Sequence, residues 1–150
     1  MGLRGERALR HHQIVRLIVP VDEVALIEVA RVQRGWRSDW RDALEEPAAL
    51  WADGEAAEAL DLIEQFPGSD VYRCFTPGFG LRLHDEKEAL AEVLFCFHCH
   101  MALMIDLRNH ARRPAGETFD ADSRAAQELL SRFRQCCEEI PAGADGRALR

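Results

Sequence analysis

Residues 71–106 read VYRCFTPGFGLRLHDEKEALAEVLFCFHCHMALMID, and their punctuation decides the fold. Val71 to Phe75 is a short extended run. Thr76-Pro77-Gly78-Phe79 is a turn, because proline suits the first central position and glycine the second of a type II turn. Gly80 to His84 returns as a strand, with Leu81 and Leu83 on one face and Arg82 and His84 on the other. Asp85-Glu86-Lys87-Glu88 closes a second hairpin. One long strand is expected from Ala89 or Leu90 to Asp106, which makes a three-stranded β-meander. Beyond Cys96 that strand outruns its hairpin partner, so its backbone groups need another neighbour. The N-terminal segments are the candidates.

Working outward, Ile14 to Val19 and Val24 to Val32 read as extended segments separated at Pro20-Val21-Asp22. Gly35 to Glu46 is a loop rich in Trp, Arg and Asp, and Pro47 to Trp51 reads as a short helical turn. From Asp53 the period becomes helical. Asp53 is placed to cap, Glu55 sits in the first turn, and Ala56, Ala59, Leu60 and Ile63 recur on one face before Pro67-Gly68. The helix is expected over Gly54 to Gln65. Asn109 to Phe119 is a loop. Asp122 or Ser123 then caps a last helix with an apolar stripe of Ala126, Leu129, Leu130, Phe133, Cys137 and Ile140. The fold class is α+β: an antiparallel sheet of four to five strands with two main helices on one face. Residues 13–140 form the single domain, and residues 1–12 and 141–150 are expected to be disordered.

Composition bounds the function. The chain has 150 residues, 47% apolar and 30% charged, with a formal net charge of −7. A domain of that size supports a core without staples, and the charge disfavours nucleic acid and anionic membrane as partners. Arg31, Arg34, Arg37 and Arg41, and separately Arg108, Arg112 and Arg113, read as solvated loop surface. Val93 to Ile105 falls far short of the ~20 apolar residues a membrane span needs, and the Arg-rich start lacks a signal-type apolar run. The expected location is the cytoplasm. There the five cysteines, Cys74, Cys96, Cys99, Cys136 and Cys137, default to thiols.

Chemistry concentrates in Glu92 to Asp106. Cys96-Phe97-His98-Cys99-His100 matches the C-x-x-C-H spacing of haem attachment, but its flanks are apolar and strand-like and no export signal accompanies it. A C-x-x-C metal knuckle needs a tight turn, and no glycine or turn-former supplies one. On a continuous strand Cys96, His98 and His100 line up on one face, about 6.5–7 Å apart between neighbours. That face can hold zinc through two imidazoles and a thiolate. Asp22, Glu23, His11 or His12 can add a ligand only if the N-terminal strands pair alongside. The competing reading treats Cys96 and Cys99 as small apolar residues of a packed strand. Thiol activation at a helix N-terminus is absent, Ser38, Ser69, Ser123 and Ser131 sit in turns or helices, and no phosphate loop precedes a helix.

At Arg73-Cys74-Phe75-Thr76-Pro77, Gly80-Leu81-Arg82 and Cys96-Phe97-His98-Cys99 the chain resembles a group of small bacterial proteins. These carry Cys-Phe-x-Pro, Gly-aliphatic-Arg and Cys-Phe-x-Cys. The resemblance runs over Val71 to Met101, with a looser match over Phe119 to Phe133. It implies the meander and brings no activity with it.

The leading expectation is a small cytoplasmic, non-enzymatic binding protein, immunity-like or accessory to another protein. Trp36, Trp40 and Trp51 are its candidate partner anchors, and the competing role for them is a loop folded down to cap the sheet. No oligomeric state is implied. The alternative is a metal- or thiol-dependent protein using Cys96, His98 and His100, with zinc as the candidate cofactor.

Overall fold

The computed structural model describes residues 16–33, 40–70 and 75–137. Six antiparallel strands form one sheet: β1 (Leu26–Arg31), β2 (Ala49–Ala52), β3 (Phe79–His84), β4 (Ala89–Cys96), β5 (Met101–Asp106) and β6 (Ala115–Thr118). Their order is β2-β1-β3-β4-β5-β6, and two helices, α1 (Asp53–Glu64) and α2 (Arg124–Cys137), complete an α+β arrangement. The expected fold class therefore holds, with one strand more than four to five. Among the described residues no helix is long and apolar enough to cross a membrane.

The extra strands arise where local signals are weak. The expected helical turn at Pro47 to Trp51 is instead the edge strand β2, paired to β1 with Glu28 opposite Leu50 and Ile27 opposite Trp51. The expected loop at Asn109 to Phe119 contains β6, which adds to β5 with Met101 opposite Thr118. The expected strand at Ile14 to Val19 is irregular where it is described, from Arg16, and gives way to a single 3-10 turn at Val21–Glu23. The strand expected at Val71 to Phe75 lies outside the described residues up to Cys74. The two chain ends expected to be disordered also lie outside them.

The largest correction concerns the long strand. It breaks at a turn over residues 97–100, and β5 folds back on β4 with Phe95 opposite Ala102 and Val93 opposite Met104. The N-terminal strand β1 pairs with β3 instead. Because cross-strand partners share a face, the four-residue turn inverts the expected parity. Ala102 and Met104 join Val93 and Phe95 under the helices, while Leu103 and Ile105 join Leu94 on the opposite face.

Helix faces and strand faces then bury each other. α1 contributes Ala56, Ala59, Leu60 and Ile63, although no described side chain caps its N-terminus and Asp53 adopts a left-handed φ of 51°. α2 starts as expected, with the Ala126 amide donating to Ser123 Oγ at 3.3 Å. Its Phe133 packs on Phe79, Phe95 and Trp51, at centroid distances of 5.0, 5.6 and 6.0 Å. At its far end Arg31 Nη2 donates to the Cys137 carbonyl at 2.8 Å, a cation placed where the helix dipole is negative.

The other sheet face carries a smaller cluster of Ala30, Val32, Ala43, Leu44, Leu94 and Ile105. Gly80 makes it possible: a Cβ there would lie 2.5 Å from Leu44 Cδ2 and 2.9 Å from Leu94 Cδ2. Gly80→Ala is therefore expected to destabilise the fold by about 1–3 kcal/mol. Leu44→Ala in the same background should relieve part of that strain, so that the two costs are less than additive. Urea unfolding midpoints check both; an unchanged midpoint for Gly80→Ala contradicts the packing described.

Candidate functional site

Antiparallel register places Glu28 of β1 opposite Arg82 of β3, and Arg82 opposite Glu92 of β4. All three point away from the helices, so a charged row crosses three strands. Arg82 Nε and Nη2 both reach Glu92 Oε2 at 2.7 Å, and Nη1 reaches Glu28 Oε1 at 3.2 Å. His84, two residues on and on the same face, places Nε2 2.9 Å from that same Glu28 oxygen.

Glu92 is only 1% exposed, and its Oε1 has no hydrogen-bond partner among the described residues. Burial pushes its carboxyl above the usual carboxylate range, and the Asp42 and Glu28 carboxylates add to that push. The hydrogen bond and charge of Arg82 only partly offset it. For Arg82 burial works against the charge, but Glu92 and then Glu28 outweigh it and hold the guanidinium more firmly protonated.

Two loops close over one half of this face. Trp40 and Asp42 take left-handed φ values of 72° and 60°, unusual for a bulky residue such as Trp. Arg41 Nη2 donates to the carbonyls of His110 at 3.2 Å and Arg112 at 3.0 Å. Arg112 in turn pairs with Asp106 at 3.3 Å. Arg31 and Arg41 thus bond across the fold where the sequence suggested only solvated surface, Arg112 is exposed as expected while it pairs with Asp106, and Arg34 and Arg37 lie outside the described residues.

The C-x-x-C segment is placed otherwise than a continuous strand requires. Cys96 ends β4 and is buried, and its Sγ accepts the Cys99 amide at 3.3 Å. Cys99 is buried and disulfide-bonded, which departs from the expected thiols; Cys74 lies outside the described residues. His98 is exposed at the turn. His100 has a left-handed φ of 57°, and its Nδ1 accepts the Ala121 amide at 3.0 Å while its carbonyl accepts the Phe119 amide at 3.0 Å. Cys96, His98 and His100 therefore do not share one strand face. Among the described residues no group of three or more His, Cys, Asp or Glu is placed to hold a metal ion.

Of the candidate partner anchors, Trp51 is 7% exposed and belongs to the core. Trp40 is half-buried, edge-on to Phe75 at 5.3 Å, and Trp36 lies outside the described residues. Among the described residues the exposed large apolar side chain is Leu50 on β2, 58% exposed and in the same row as Glu28; no sequence pattern singled it out. Ala49-Leu50-Trp51-Ala52 is apolar throughout, so no alternation marks which of its side chains faces out. Behind β2, on the helix side, Trp51 also lines a groove of about 420 Å³ with Glu55, Glu58, Glu128, Arg132 and Cys136. Arg132 bridges Glu58 at 2.9 Å and Glu128 at 3.1 Å.

Compared with known proteins, the chain matches no family model, no curated protein and no solved structure.

Removing Arg82 leaves a buried carboxylate without its cation, so Arg82→Met is expected to cost about 3 kcal/mol at neutral pH. The sign with pH follows from the raised Glu92 carboxyl. Stability linked to its protonated form is complete below the ordinary carboxylate range and lost as pH rises through the raised folded value. The Arg82→Met deficit should accordingly shrink on acidification, and Glu92→Gln in that background should recover much of it at neutral pH. A deficit independent of pH in denaturant titrations contradicts the arrangement.

Proposed function

We propose that this chain is a non-catalytic protein-binding module of the cytoplasm that takes an extended segment of its partner along β2. The observation that carries the reading is Leu50, a large apolar side chain 58% exposed on a strand at the edge of the sheet. Edge strands offer unpaired backbone groups to an incoming strand, and alternating side chains then set specificity. Here one side of such a segment meets Leu50, whose cross-strand neighbour is Glu28. The other side meets the groove of Glu55, Glu58 and Glu128, where three carboxylates outnumber Arg132. A partner with alternating apolar and basic side chains fits both, and the overall charge of −7 favours its approach. The thiols of Cys96, Cys136 and Cys137 support a reducing location, against which the disulfide at Cys99 counts.

A photo-activated cross-linking side chain at position 50, expressed in the native host, tests the reading against the same group at Glu86, exposed in the β3–β4 turn. A discrete adduct is expected at position 50 and not at 86. Leu50→Thr should change stability by less than about 0.5 kcal/mol, as for other exposed positions. Equal labelling at both positions, or none at position 50, contradicts the proposal.

A further inference from the structure

Away from the charged row, the described part of α2 closes on two adjacent cysteines whose sulfurs meet. Cys136 and Cys137 carry thiols, and their Sγ atoms lie 3.7 Å apart. Their geometry is wrong for a disulfide. Adjacent Cα atoms are about 3.8 Å apart, short of the ~4.4 Å at which disulfides begin, and an S–S bond is only about 2.05 Å long. Closing one would unwind the last turn of α2, whose Cys137 carbonyl is held by Arg31. A single atom bonded to both sulfurs asks for no such change. Bonds of about 2.3 Å, the length of a zinc–thiolate bond, set two sulfurs about 3.4–3.8 Å apart at angles from pyramidal to tetrahedral.

Access and charge narrow the ligand. Cys136 is half-buried and lines the groove between α1 and α2, whereas Cys137 is buried behind it. The contact with Cys137, the largest cause, holds the Cys136 thiol below its ordinary pKa, which favours the nucleophilic thiolate. The carboxylates of Glu55, Glu58 and Glu128 around it disfavour anionic reagents. A ligand satisfied by two sulfurs also needs no third protein donor, and no cluster of three is present among the described residues. Neutral trivalent arsenic acids meet each of these conditions.

We propose that Cys136 and Cys137 form a chelating dithiol site for a neutral trivalent arsenic acid of the type R–As(OH)2. Cys136 bonds first, from the groove, and Cys137 closes the chelate. Two As–S bonds form and two As–O bonds break. Two water molecules leave with the two thiol protons, and no electrons are transferred.

The probe is phenylarsine oxide at one equivalent, added to the folded full-length chain without reductant and followed by intact and peptide mass spectrometry. One phenylarsenic group is expected per chain, on the peptide holding Cys136 and Cys137. It should resist excess 2-mercaptoethanol and be released by dithiothreitol. Cys136→Ser and Cys137→Ser should each lose that resistance, while Cys96→Ser keeps it. Cys136 is half-buried, so its variant serves even if a hydroxyl at the buried position 137 impairs folding. An adduct on other residues, one that the monothiol strips from the native chain, or one that stays resistant in Cys136→Ser, overturns the proposal.

Discussion

A carboxylate almost wholly removed from water, held by one guanidinium, sits in the middle of this sheet. Glu92 lies on β4, a strand buried along nearly its whole length, and charge at such a position is costly unless it is paired and hydrogen-bonded. Arg82 supplies the pairing from the neighbouring strand through two contacts at 2.7 Å. Glu28 meets Arg82 from its other side, and His84 bonds to that same Glu28 oxygen. The row works only if β1, β3 and β4 keep their present register. A slip by one residue would turn Glu92 into the helix-covered core and bring Val93 out. The ion pair thus selects one alignment among those that hydrophobicity alone would tolerate.

The row also divides the sheet face that the helices leave open. On one side Leu94, Ile105, Ala30 and Val32 are closed over by Ala43 and Leu44, and Arg41 ties that loop to the segment of His110 and Arg112. At the β2 edge the row finishes in Leu50, the exposed large apolar side chain among the described residues. The same strand puts Trp51 into the core against Phe133, so β2 is anchored from the helix side while its opposite face is open.

How much of this was legible depends on whether the signal is local. The hairpin at Asp85 to Glu88, both helices and the Ser123 cap follow from turn residues and helical period, which neighbours in the chain determine. The turn at Phe97 to His100 was hidden because none of its residues is a usual turn-former. His100 is held in its left-handed conformation beside bonds to Ala121 and Phe119, which are remote in sequence. Missing that turn reversed the assigned faces of β5 and created the apparent line of Cys96, His98 and His100. β2 was masked by Pro47 and by its shortness. The charged row could be read only in part: Arg82 between Leu81 and Leu83, and Glu92 inside an apolar run, each announce a polar residue on a buried strand. Their meeting, and the addition of Glu28, depend on strand register, which no short window contains.

The most direct test of the central pair is a carbon-detected NMR titration of the side-chain carboxyls in the folded protein. The Glu92 carboxyl is expected to titrate above the ordinary glutamate range, and higher still in Arg82→Met, because burial opposes its charge and Arg82 offsets only part of that cost. A Glu92 resonance that titrates at or below the ordinary range, unmoved by loss of Arg82, would contradict the account of a desolvated carboxylate held by one guanidinium.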